Sequence, residues 1–413
     1  MRRSISVAAV LGLSLGLAAC SSSTPSGTAT TSAAPAATTT LTVWVDDTRA
    51  AAVKAVAEEF TKETGTQFQF VQKDFGTMRD EFIAQAPTGK GPDIIVGAND
   101  WTGALVQNGV VEKVDLGDKA SGFLDVALKG MSSGGQLYGL PYAYENIGLV
   151  RNTALVPDAP TGTFDDLIAQ GQALVTAGKV KYPVLIQQGD TGDAYHLYPI
   201  ETSFGSVVFG TDAKGDYDAT QFKLGDPEGT AFANYVAKLG KLGILSKDIN
   251  GDAARDLFAQ GKAPFMVTGS WYIPDFTKAG IKVAVSPIPS AGGQPAAPFV
   301  GVQGFFLSSK SENKLVAQKF FSYLATEAAQ TKLFEVGGRV PALKAAADKA
   351  ATDPVVGGFA KAGENGQVQP SIPAMGAVWQ DWGLAEVAIA QGADPASTWT
   401  TAAASIKAKI AAS

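Results

Sequence analysis

Carboxylates sit beside aromatic rings at several loop-like points of the 413-residue chain. They are Asp46-Asp47 with Arg49, Asn99-Asp100-Trp101, Tyr142 to Glu145, Asp193 to Tyr195, Trp271-Tyr272 and Trp379 to Trp382. A flat ligand with apolar faces and a rim of hydroxyls, such as a sugar, suits this pairing. An aromatic ring covers the face, and Asp or Glu accepts hydrogen bonds from the rim. Taken singly, each tryptophan also reads as a core residue. Asp47 and Asp100 each precede a helical stretch and read equally as helix caps.

Other chemistries lack their parts. The chain holds one histidine, His196, and one cysteine, Cys20. A nucleophilic triad has to be built on His196, and no Gly-x-Ser-x-Gly elbow accompanies it. A zinc site needs several His or Cys ligands at short spacing, so no metal is expected. Gly89-Lys90 and Gly261-Lys262 lack the flanking residues of a phosphate loop, and no cofactor is expected. Two carboxylates alone can hydrolyse a glycosidic bond. Asp46, Asp47, Glu145 and Asp193 keep that alternative open, although no catalytic residue is assigned.

The elements that must hold these residues alternate. Leu41–Val45, Gln67–Val71 and Asp93–Gly97 read as strands. Helices follow each, from about Arg49 to a stop at Gly65, over Thr77–Gln85, and over Trp101–Gln107. This alternation predicts an α/β domain with a doubly wound sheet. A second α/β stretch begins after Tyr138-Gly139-Leu140-Pro141. Its strands are predicted near Ile147–Arg151, Pro183–Gln187, Ala263–Thr268 and Val283–Pro287. Its helices are predicted near Phe164–Ala177, Glu228–Leu242 and Ala253–Gln260. Then come a strand at Gly304–Leu307, a helix at Ser311–Thr326, and terminal helices at Ala374–Gln391 and Ala396–Ala412.

Arg2 and Arg3, an apolar run from Val7 to Ala19, and Leu17-Ala18-Ala19-Cys20 resemble a bacterial lipoprotein signal. Residues 1–19 are thus expected to be a signal peptide. Cys20 is expected to carry the lipid at the extracytoplasmic face of the cell membrane, and 20–40 to form a flexible tether. With Cys20 so used no disulfide remains, so core burial must hold the rest. Net charge is −6, which argues against a nucleic-acid partner. No Asn-x-Ser/Thr sequon occurs, so N-glycosylation is not expected.

Several stretches resemble, in order and spacing, the maltose/maltodextrin-binding type of solute-binding protein that serves ABC sugar importers. They are Gly91-Pro92-Asp93-Ile94-Ile95, Pro141 to Asn152, Thr268-Gly269-Ser270-Trp271, Gly293-Gln294-Pro295 leading to Pro298 through Val302, and Ile372-Pro373 through Trp379. The resemblance implies a two-lobed periplasmic-binding-protein fold with doubly wound sheets and hinge crossovers. The lobes it implies are 41–143 with 305–350 and 144–304 with 351–413, crossing at Tyr142–Asn146 and Phe299–Gly304. It implies sugar contacts at Asp47, Arg49, Asp100, Glu145, Asp193, Tyr195, Trp271 and Trp379, with Trp101 and Trp382 as extra aromatics. The partners implied are an oligosaccharide and the membrane permease subunits, and a monomer is expected. The ligand readings are a maltooligosaccharide-type α-glucoside, or trehalose or another oligosaccharide. The family's tryptophan before Ala98-Asn99-Asp100 is replaced by Gly97, and two of its arginines by Trp101 and Gly383. The pocket is expected to be rebuilt at those three positions.

Overall fold

A computed structural model describes residues 39–213 and 215–412. The signal peptide, Cys20 and the tether up to residue 38 lie outside the described residues. Thr38–Ser413 is a compact unit of its own. The first strand begins one residue earlier than predicted, at Thr40.

That strand, β1 (Thr40–Val45), pairs in parallel with β2 (Gln67–Gln72) and β3 (Ile94–Ala98). Two helices make the crossovers, Asp47–Thr64 and Phe75–Gln85. The first buries Val53, Val56 and Phe60, the predicted face. It stops at Gly65, where φ is 77° and only glycine fits without strain. It starts at Asp47, earlier than predicted, because Asp46 supplies the cap by accepting from the Thr48 amide at 2.9 Å.

The chain then runs through β4 (Gly139–Asn146) and β5 (Gly148–Asn152). Next come β6 (Leu185–Ile186), β7 (Phe265–Thr268), β8 (Val283–Ser286), β9 (Phe299–Leu307), β10 (Val340–Pro341) and β11 (Gln367–Val368). One sheet has the order β10-β4-β9-β3-β1-β2, with β11 beside β9. A second, four-stranded sheet has the order β8-β5-β7-β6. Each sheet has its own core, around Val43, Ile95, Phe305 and Phe320 in the first and Leu149, Phe232, Val267 and Trp382 in the second. The result is an α/β, two-lobed periplasmic-binding-protein fold.

The crossover segments are regular strand. Asn146 pairs with Val300, Glu145 with Gly301 and Tyr144 with Val302, so β4 and β9 form an antiparallel ribbon. Two chains crossing side by side satisfy each other's backbone groups, which a lone crossing cannot do. The ribbon shifts register between Gln303 and Gly304, leaving Tyr142 as an extra residue on β4. Such a bulge re-aims the side chains beside it. The helix predicted from Ala374 begins instead as a tight 3-10 turn over Pro373–Ala377, and the α-helix runs over Trp379–Ala390.

Gly383 has a packing role. A Cβ on it would lie 2.3 Å from the Thr191 carbonyl oxygen, and one on Gly192 would lie 2.1 Å from the Gly383 carbonyl oxygen. Helix Trp379–Ala390 and the loop before Asp193 thus meet backbone to backbone. Gly383→Ala is expected to cost about 1–3 kcal/mol, the usual penalty for overpacking. Thermal unfolding should show it as a lower Tm, while Gly357→Ala, with open space around it, should not. Equal melting of both variants would contradict this packing.

Candidate ligand-binding cleft

The ribbon carries a closed ring of polar contacts. Asp46 Oδ2 accepts from Arg49 Nη1 at 2.8 Å. Arg49 Nε and Nη2 both donate to Gln303 Oε1, at 3.0 and 2.7 Å. Gln303, at the bulge, donates from Nε2 to Glu145 Oε1 at 2.6 Å. Glu145 Oε2 accepts from Arg339 Nε at 2.6 Å. Arg339 Nη2 donates to Thr48 Oγ1 at 2.9 Å, and that hydroxyl donates to Asp46 Oδ1 at 2.7 Å, closing the ring. Asp46, Arg49, Gln303, Glu145 and Arg339 are all buried. Burial works against the Asp46 charge, but Arg49 and Arg339 outweigh it and hold the carboxyl below its usual range. Burial likewise opposes the Arg49 charge, and Asp46, Tyr142 and Glu145 more than offset it.

The ring reaches toward aromatics packed on the second core. The Arg339 guanidinium lies 5.5 Å from the Trp271 ring centroid. Trp379 Nε1 donates to Asp100 Oδ2 at 2.9 Å. Each tryptophan packed on the second core therefore meets a charged group next to a strand of the first sheet. Burial raises the Asp100 carboxyl above its usual range, against the pull of Arg79 and the Trp379 bond. Asn99 pins the same turn to the ribbon, donating to the Gln369 carbonyl at 2.8 Å and accepting from the Val302 amide at 2.9 Å.

On the second lobe, Tyr195 and Trp271 stand 6.4 Å apart, centroid to centroid. Burial raises the Tyr195 phenol, and the nearby Glu145 and Asp100 charges add to the effect. Asp193 caps helix Ala194–Thr202 and accepts from the His196 amide at 3.1 Å. Its other oxygen accepts from Gln187 Nε2. Burial raises the Asp193 carboxyl, but His196 and these hydrogen bonds outweigh it and leave it below its usual range. The Tyr195 hydroxyl, His196 Nε2, Gln187 Oε1 and Ser270 Oγ are buried and find no hydrogen-bond partner among the described residues. Polar atoms left this way are costly unless a ligand or water serves them.

Arg49, Asp100, Glu145, Asp193, Tyr195, Trp271 and Trp379 are thus linked in one chain of contacts, with Phe299 between Tyr195 and Trp379. Asp47 is exposed in the first turn of its helix, where its charge still reaches the Tyr272 phenol. Trp101 and Trp382 are core residues, 3% and 1% exposed, whereas Trp271 and Trp379 are only half-buried. The Trp101 ring lies over Gly97, whose Cβ would fall 2.0 Å from Trp101 Cζ3. The aromatic that the resemblance places at 97 is thus replaced by a ring reaching back from 101. Trp382 backs Trp379, stacked at 5.6 Å and 13°, and donates to Glu201 Oε2 at 3.1 Å. Sequence reasoning missed Gln303, Arg339 and His196. The one signal for Arg339 was Gly337-Gly338 before it, where Gly338 ends a helix at φ 72°.

Residues 55–357 match the family of bacterial extracellular solute-binding proteins. A galactooligosaccharide-binding protein of Bacillus subtilis (strain 168) is 25% identical over 96% of this chain and 95% of its own length. A maltooligosaccharide ABC transporter solute-binding lipoprotein of Streptococcus pneumoniae serotype 4 (strain ATCC BAA-334 / TIGR4) is 27% identical over 90% of this chain and 89% of its own. The solved structure of a Thermus thermophilus maltotriose-binding protein bound with maltotriose superposes with a TM-score of 0.83. It is 30% identical and covers 90% of this chain and 100% of that one. The chain belongs to the bacterial extracellular solute-binding protein family.

Behind the Trp379–Trp382 stack lie two further acids. Burial pushes the Glu201 carboxyl up to about 8, against hydrogen bonds from Ser206 and Trp382. Burial also raises Glu386, and the charge of Glu201 adds to it. Glu201 thus holds its proton in the folded chain at neutral pH, whereas an unfolded glutamate ionises above the model-peptide value of 4.5. Its contribution to stability is therefore full at low pH and is lost as pH rises toward about 8, and the raised Glu386 acts with the same sign. Glu201→Gln and Glu386→Gln are each expected to flatten the fall in Tm between about pH 5 and about pH 8. Thermal unfolding across that range checks it, and slopes identical to wild type would contradict the burial of these acids.

Proposed function

We propose that this family member is the sugar-capturing component of an ABC importer. It is held by Cys20 lipid at the extracytoplasmic face of the cell membrane. In this reading it takes maltose/maltooligosaccharide-type α-glucosides into the cleft between its lobes and delivers them to the membrane permease subunits. The observation that carries it is the cleft lining. Two half-buried tryptophans each meet a charged group of the opposite lobe, among buried polar atoms without partners. Stacking faces and unserved hydrogen-bonding groups are what a sugar's two kinds of surface require. The maltotriose-bound neighbour and the maltooligosaccharide-binding relative support the choice of sugar.

Binding without chemistry is part of the proposal. A glycosidase needs one carboxylate kept protonated beside one kept charged. Asp46 and Asp193 are both held below the usual range, the Glu145 oxygens are occupied by Gln303 and Arg339, and Asp100, the carboxyl that burial raises, accepts from Trp379. The lobes we assign are 41–143 with 305–350 and 144–304 with 351–413. The β4–β9 ribbon serves as their hinge, and one chain supplies the whole cleft, so a monomer suffices. Sugar favours the closed arrangement because only there does it touch both lobes.

Calorimetric titration of the chain from Ser21 onward tests this, with maltose, maltotriose, trehalose, a galactooligosaccharide and xylobiose. Saturable binding of maltotriose is expected, with the sugar recovered unchanged after long incubation. Trp271→Ala and Trp379→Ala are each expected to weaken it by more than about tenfold, as loss of a central aromatic anchor does, with circular dichroism unaltered. Unweakened binding by both variants overturns the site. Silence to every α-glucoside overturns the ligand class.

A further inference from the structure

His196 is the only histidine in the chain. The residue is 4% exposed and packs against both Trp271 and Tyr195. Its ring lies 5.6 Å from the Trp271 ring at 88° and 5.9 Å from the Tyr195 ring. One edge is tied down, since Nδ1 lies 2.8 Å from Asp193 Oδ1. The opposite edge, Nε2, is buried and finds no partner among the described residues. We propose that His196 Nε2 is a ligand-contacting acceptor that takes a hydrogen bond from a sugar hydroxyl, and that Asp193 is the residue that positions it.

The tautomer follows from the partner. An ionised carboxylate can only accept, so Nδ1 carries the proton toward Asp193, and in the neutral imidazole Nε2 keeps its lone pair. The role of Asp193 changes with it. One of its oxygens accepts from Gln187, and the other from the His196 amide and ring. It has its hydrogen bonds from the protein and acts on sugar through the imidazole. The neighbouring hydroxyls of Tyr195 and Ser270 also lack partners. The acceptor therefore belongs to a local group of unserved polar atoms at the Trp271 face. A phenylalanine of similar shape would keep the ring packing and offer no acceptor.

This inference rests on the sugar-binding reading, and the experiment separates the two. The chain from Ser21 onward, without a histidine tag and labelled with 15N-histidine, gives one imidazole. Its two nitrogen resonances are recorded before and after saturation with maltotriose. The expected spectrum of the free protein has Nδ1 protonated and Nε2 bare. Maltotriose should shift Nε2 strongly and Nδ1 little. In parallel, His196→Phe should bind maltotriose about tenfold more weakly, the loss of one well-made hydrogen bond, with circular dichroism unaltered. If maltotriose binds wild type while Nε2 stays put and His196→Phe binds normally, the histidine is structural and this inference is overturned alone. If maltotriose does not bind wild type, both readings fall together.

Discussion

Everything in the cleft depends on one ring of buried contacts, from Asp46 through Arg49, Gln303, Glu145 and Arg339 to Thr48 and back. It joins four separate parts of the chain: the cap of the first helix, both strands of the crossover ribbon, and the turn after a late helix. Two arginines and two carboxylates alternate within it, so no charge is left alone. Removing one partner would strand a buried charge at a cost of about 3–5 kcal/mol. Such a ring fixes geometry more than it adds stability. It holds the ribbon at the point where the chain passes between lobes, and it aims Arg339 at Trp271.

Around that fixed base the two lobes offer different things. The first brings charge, through Asp100 and Arg339. The second brings rings, through Tyr195, Trp271 and Trp379, with Trp382 and the acids Glu201 and Glu386 behind them. Each buried polar atom without a partner costs about 1–3 kcal/mol. The Tyr195 hydroxyl, His196 Nε2 and Ser270 Oγ therefore carry a cost that a hydroxylated ligand reaching them would relieve. A ligand that serves these atoms only when the lobes are together shifts the balance toward closure.

Much of this was legible in the residues. The apolar centres at Val43, Ile95 and Val267 read as strands because covered sheets need them. Gly65 read as a stop because a left-handed cap demands glycine. The cleft aromatics Trp271 and Trp379 and the acid Asp100 were legible from their pairing. What failed was depth and partnership. Trp101 and Trp382 carry the same side chain as Trp271, and no local pattern separates a ring under the floor from a ring on it. Asp46 and Asp47 are neighbours, and which one caps the helix depends on a single backbone turn. Arg339 and Gln303 were invisible, since their meaning comes from Glu145, which lies more than a hundred residues away along the chain in both cases. His196 read as a missing triad, because its value lies in what Asp193 leaves unserved on its far edge.

The most direct test of the central claim is small-angle X-ray scattering of the chain from Ser21 onward, with and without saturating maltotriose. If the lobes close over sugar about the β4–β9 ribbon, the radius of gyration falls when maltotriose is added and does not fall with xylobiose. A radius that stays the same at saturating maltotriose would contradict a cleft that closes on its ligand.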